Sequence, residues 1–164
     1  MITCTFSLSG VKELYICYQT FNQQDIVYPI YPIVNISTNA FKIQQNKTLK
    51  TFIINGISYS YVDLTGQFQS FTETLVEDEK GRWFQVDLNI SSVYDQNMFD
   101  LIKHKHAMAF IVDNNGRKWM CGYEQPLKLT NYTHNSGINA DGQNKYDLIY
   151  TGKSYNYIRN YELI

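Results

Sequence analysis

The sequence predicts a mainly β domain, an antiparallel sandwich or barrel with one flanking α-helix. Three observations carry that expectation. Short runs rich in β-branched and aromatic residues recur at roughly ten-residue spacing, separated by turn residues, as in sandwiches and barrels. Alanine is confined to Ala40, Ala107, Ala109 and Ala140, whereas 14 Tyr and 9 Phe favour strands over helices. A single stretch, within residues 91–105, carries apolar residues at helical spacing. With no repeat and no linker, the chain reads as one β domain spanning residues 1–164.

Ile2, Cys4, Phe6 and Leu8 alternate with Thr3, Thr5 and Ser7, a period of two that reads as a first strand. Ser9-Gly10 turns the chain into a second strand over Lys12–Tyr18. Pro29 and Pro32 place Ile26–Ile36 at a sheet edge or in an extended arm, because proline cannot donate to a central ladder. Leu49–Ile54 and Ile57–Asp63 flank Asn55-Gly56, a pair that tolerates positive φ at both positions of a type I′ hairpin turn. Phe68–Val76 and Trp83–Ile90 flank the charged run Glu77-Asp78-Glu79-Lys80-Gly81, read as a solvated hairpin tip.

Ser92 with Asp95 resembles a capping box, and Tyr94, Met98, Leu101, Ile102 and Lys105 follow at helical spacing. Lys103, His104 and Lys105 suit the negative end of such a helix. Ala107–Asp113 and Arg117–Tyr123 form another hairpin around Asn114-Asn115-Gly116. Thr130–Asn144 reads as a long polar loop of the kind that often serves a contact. Lys145–Thr151 and Tyr155–Leu163 give the last strands.

Composition narrows the function classes. The net charge of -1 and the absence of a basic stripe argue against gripping nucleic acid through its phosphates, though DNA could pass through a channel without being held. Cys4, Cys17 and Cys121 contain no CxxC, so neither a zinc ribbon nor a redox motif is expected, and buried thiols in a reduced interior fit best. Met1–Gly10 lacks a basic start and a long apolar run, so no signal peptide is expected. No stretch approaches the ~20 apolar residues of a membrane span, and no membrane partner is expected. Sequons at Asn35, Asn46, Asn89 and Asn131 are then accidental in an Asn-rich chain.

The motifs that carry chemistry are weak. His104 and His106 share a face if extended, and His134 with Asp113 or Asp141 would be needed to complete a zinc site. A helix-ending charge cluster explains them more simply. Cys121, two residues after Trp119 in a core strand, reads as a packed thiol and not a nucleophile. Nothing brings two of Glu73, Glu77, Asp87 and Asp100 together at a glycosidase separation. Gly152-Lys153-Ser154 resembles a P-loop end, but Asp147 stands where its first glycine belongs. No catalytic, cofactor-binding or metal-binding residue is therefore assigned, and an enzyme is not expected. Tyrosines offer something else. Tyr59/Tyr61 and Tyr155/Tyr157 share a face at i, i+2 spacing and, with Tyr28 and Tyr31, suit a sugar platform, a core or a subunit interface.

The hairpin Phe110-Ile111-Val112-Asp113-Asn114-Asn115-Gly116-Arg117-Lys118-Trp119 is followed by Gly122-Tyr123-Glu124, Ser136-Gly137 and Asp141-Gly142-Gln143-Asn144-Lys145-Tyr146. The strand Asp147-Leu148-Ile149-Tyr150-Thr151-Gly152-Lys153 and a Tyr-rich strand close the series. This stretch, Phe110–Leu163, resembles structural proteins of phages and prophages of gut Bacteroides-type bacteria, including the crAss-like group. Lys145 stands where those proteins carry a glycine. The strand-rich pattern with one helix is also similar to tail-tube and tail-terminator proteins. The resemblance implies a tail-tube-like fold and a virion protein of the tail or neck, assembled in the host bacterial cytoplasm. It implies a homo-oligomeric ring, sixfold or twelvefold, joined to neighbouring tail or neck proteins, with DNA only as cargo in the lumen. On that reading Tyr28, Tyr31, Tyr132, His134, Tyr155 and Tyr157 are the oligomer-interface candidates. The alternative is a carbohydrate-binding or adhesin-like β domain.

Overall fold

A computed structural model describes residues 10–18, 41–54, 56–65, 68–93, 102–123, 125–136, 144–154 and 159–164. The expected strand at Ile2–Leu8, the proline-bearing segment Ile26–Ile36 and most of the expected helix lie outside these residues. Two sheets form. In the first, β1 (Val11–Cys17), β2 (Phe41–Asn46), β3 (Thr51–Ile54), β4 (Ile57–Ser60) and β5 (Val62–Asp63) join β8 (His106–Asp113), β9 (Lys118–Cys121) and β12 (Arg159–Leu163). The second contains β6 (Phe68–Asp78), β7 (Gly81–Val93), β10 (Leu127–Asn135) and β11 (Lys145–Ser154).

The first sheet runs β5-β1-β8-β9-β12-β2-β3-β4 and the second β10-β11-β7-β6. Among the described residues every pairing is antiparallel except β12 with β2. The sheets meet where Ala107 and His106 of β8 pair with Leu127 and Lys128 of β10. β9 and β10 follow the same flank of β8 in turn. An excursion over residues 122–126 separates Ala109↔Cys121 from Ala107↔Leu127. Gly122 permits that excursion: its φ is 83°, and a Cβ there would lie 2.8 Å from the Ala107 carbonyl oxygen.

β4 and β5 are consecutive segments hinged at Tyr61, yet β4 pairs with β3 at one margin and β5 with β1 at the other. The sheet therefore curls until one piece of chain borders both margins, but the ladder does not close into a barrel. Inside the curl lie Tyr15, Phe52, Tyr61, Phe110 and Tyr161 with Ile43, Met108 and Met120. Phe52 is the hub, with ring centroids 4.2 Å from Phe110 and 4.5 Å from Tyr61. Edge-on pairs such as Tyr15–Phe52 and Phe110–Tyr161 add quadrupole attraction to the buried area.

The opposite face of that sheet packs on the second sheet through Leu14, Ile16, Ala109 and Ile111 against Val86, Leu88, Ile90, Leu148 and Tyr150. β8 serves both cores at once, so its run Ala107–Val112 is apolar without alternation. Ala107 and Ala109 face the second sheet, where small side chains let the fully buried Tyr150 fit.

Several expectations change. Ser92 does not cap a helix: it lies in β7, paired with Tyr146 of β11. Hydrogen bonding to β11 on one side and β6 on the other near Ser91 offers that backbone more than a cap would. Of the flanking helix, only Ile102 and Lys103 are helical among the described residues. The charged tip is tighter than expected, since strand pairing continues to Asp78↔Gly81 and leaves Glu79-Lys80 as the turn. The Asn55-Gly56 hairpin forms as expected, with Ile54 paired to Ile57 and Gly56 at φ 79°. In the hairpin at Asn114–Gly116, Asp113 Oδ1 accepts the Asn115 and Arg117 amides while Oδ2 accepts the Trp119 indole N–H.

Candidate functional site

The first part of the segment expected to be a polar loop, residues 130–135, is strand, while residues 137–143 lie outside the described residues. β10 pairs with β11 from Lys128↔Thr151 to Asn135↔Lys145, with a bulge between Leu129 and Asn131. Thr130, Tyr132 and Thr133 are good strand formers. The sequence hid them because residues 130–136 are all exposed and so carry no apolar period. Here β10 is the outer strand of a ribbon whose inner strand, β11, stays paired to β7 as far as Lys145↔Val93. The pairing of β10 with β8 ends after Lys128, followed only by the Leu129 amide bonding to the Lys105 carbonyl.

Aromatic rings stiffen the ribbon. Tyr146 stacks on His134 with centroids 4.5 Å apart and planes 6° apart, and on Tyr132 at 6.1 Å. His134 Nε2 bonds Asn144 Oδ1. Tyr132 remains 44% exposed, so its ring is available to another surface. Of the interface candidates, the structure brings Tyr132 and His134 together. Tyr28, Tyr31, Tyr155 and Tyr157 lie outside the described residues. Tyr146 was missed, although its alternation with Leu148 and Tyr150 places it on the same face.

The face of β6-β7-β11-β10 turned away from the core carries a second polar surface. Trp83, Gln85, Asp87 and Asn89 alternate with the inward Phe84, Val86, Leu88 and Ile90. Asp87 accepts hydrogen bonds from Thr151 at 2.9 Å and from Gln85 Nε2 at 3.0 Å. Thr130 Oγ1 donates to the Ile149 carbonyl and sits 3.1 Å from Thr151 Oγ1. The Lys153 ammonium lies 3.9 Å above the Trp83 ring, a cation–π contact. Gln85, Gln125, Lys128, Thr130, Thr151 and Lys153 line a cleft of about 300 Å³ on this face.

Other residues weighed for chemistry are placed differently. Cys121 is fully buried and its thiol is pushed up to about 12, mainly by burial, then by the Glu73 carboxylate. Burial also raises Cys17, so both behave as packed thiols at neutral pH. Glu73 pairs with Val86 on the inward face, whereas Asp87 faces outward, so they form no carboxylate pair. Glu77 meets Arg82 at the exposed hairpin tip. His104 stacks on Tyr18 with centroids 4.7 Å apart, and His106 pairs with Lys128. Among the described residues, no three His, Cys, Asp or Glu side chains gather as a metal site would require. Tyr61 is buried in the aromatic core and Tyr59 packs against it, so this pair is not a surface platform. No helix among the described residues is long and apolar enough to cross a membrane.

Compared with known proteins, the chain matches no family model, and no curated protein or solved structure is significantly similar to it.

Proposed function

We propose that this chain is a structural subunit of a phage virion, forming a homo-oligomeric ring of the tail or neck around the DNA passage. One observation carries the reading: β10, exposed on both faces over residues 130–135, is the outer strand there and presents Tyr132 and His134, ordered by stacking on the half-buried Tyr146, at the margin of the sheet. Side chains ordered by stacking before contact lose little rotamer freedom on association, which favours them as interface anchors. The long exposed strand β6, at the other margin of the second sheet, provides a different patch on the same subunit. A head-to-tail ring requires two unlike patches. The two-layered, antiparallel-rich architecture agrees with a tail-tube-like sandwich, and the near-neutral charge agrees with a lumen through which DNA moves as cargo. On this reading the subunit is no enzyme, and its place is the virion.

Light scattering and negative-stain imaging of the purified chain, alone and with neighbouring tail or neck proteins, test the proposal. A ring-sized species is expected, and Tyr132→Ala reduces it while the monomer stays folded. A strict monomer under all these conditions would overturn it.

A further inference from the structure

The outward cleft adjoins the ribbon and shares Thr130 with it, and its chemistry is distinct from that of the aromatic group. We propose that it binds an acidic saccharide, a sugar ring bearing a carboxylate. Lys128 and Lys153 supply two cations, and no carboxylate lines the cleft. Neither lysine has an ion pair among the described residues.

The one nearby acid, Asp87, is on the same outward face, where two residues of the wall, Gln85 and Thr151, engage its two oxygens. Gln85 gives one of its two Nε2 protons to Asp87 Oδ2, which leaves its Oε1 as an acceptor beside one remaining N–H. Thr151 donates its hydroxyl proton to Asp87 Oδ1 and keeps its lone pairs. Thr130 Oγ1 lies 3.1 Å from both the Ile149 carbonyl oxygen and Thr151 Oγ1, so the two hydroxyls share one bond and keep their remaining lone pairs as acceptors. The wall thus presents hydroxyl and amide acceptors together with amide N–H groups, while the lysines present charged donors.

A ligand that satisfies both needs hydroxyl donors beside an anionic group, and a sugar acid has them at the spacing of one ring. The dianion of a phosphate monoester has no proton to give the acceptors. Nucleic acid asks for a row of phosphate contacts, and two lysines on a chain of net charge -1 do not make one. A volume of about 300 Å³ lies at the small end of ligand sites and suits one or two rings. Trp83 beneath Lys153 holds the ammonium at the rim, so the charge is partly positioned before the ligand arrives.

Calorimetric titration of the full chain tests this with digalacturonate and sialyllactose as acidic probes. Cellobiose, inorganic phosphate and a short oligothymidylate are the comparators. At least one acidic sugar is expected to bind about tenfold or more tightly than every comparator. Pairing Lys128→Gln with Lys153→Gln should weaken that binding about tenfold or more, because it removes charge-assisted bonds. Lys80→Gln at the distant hairpin tip should leave it unchanged. Circular dichroism establishes that each variant is folded. Failure of both acidic sugars to bind would overturn the proposal, as would a comparator binding equally well or an unaffected lysine double variant. These outcomes are independent of ring formation, so this inference and the assembly proposal stand or fall separately.

Discussion

β8 and β10 pair with each other, yet they are opposite kinds of strand. From Ala107 to Val112 every β8 side chain is buried, alternately against the aromatic core and against the second sheet. In β10, residues 130–135 are exposed on both faces. A strand flanked by two cores holds the fold together, and substitutions there act on stability. Where neither face is buried, the strand adds little to stability and is free to serve contacts, so substitutions there should act on association.

Phe110→Ala attacks the buried side of this contrast hardest. It removes a ring packed at a tilt against Phe52 and edge-on to Tyr161, and should cost about 3–5 kcal/mol in urea unfolding. A loss below about 1 kcal/mol would mean that the curled sheet is loosely packed. Gly122→Ala comes next. The positive φ and the close Ala107 carbonyl oppose any side chain there, and a loss of about 1–3 kcal/mol is expected by the same measurement.

A smaller effect follows from pH. The Cys121 thiol, ordinarily near 9, is held protonated in the fold to about 12. Below about 9 its contribution to stability is fully present. Between those values the unfolded chain carries fewer protons than the folded one, so stability falls as pH rises. Urea midpoints followed from about pH 9 to 11 should fall less steeply in Cys121→Ala, and an identical slope would refute the assignment. The smallest effect is expected on β10 itself. Tyr132→Ala should change unfolding free energy by no more than about 0.5 kcal/mol while altering assembly.

The same contrast explains what could be read from sequence. β8 was legible because burial on both faces writes an unbroken apolar run into residues 107–112, and the Asn55-Gly56 hairpin because its turn demands a rare backbone conformation. β10 was illegible because full exposure erases periodicity, leaving Thr, Tyr, His and Asn to read as loop. Ser92 misled for a related reason: a local cap can be judged from neighbours in sequence, whereas pairing with Tyr146 is a long-range fact. For the site, Tyr132 and His134 were named, but their stacking on Tyr146 depends on strand register. The Trp83–Lys153 contact spans β7 and β11 and left only one local trace, a tryptophan on the polar side of an alternating strand.

β12 lies between β9 and β2, antiparallel to one and parallel to the other. A ribosome reaches Arg159–Leu163 after every other strand of that sheet, whereas β2, β3 and β4 emerge early. Until β12 arrives, the β2–β3–β4 meander lacks its bridge to β9, and Phe110 lacks its edge-on partner Tyr161. Strand insertion between preformed neighbours closes very long loops, a slow step in folding. The aromatic core therefore cannot be complete before its last strand, β12, has been translated.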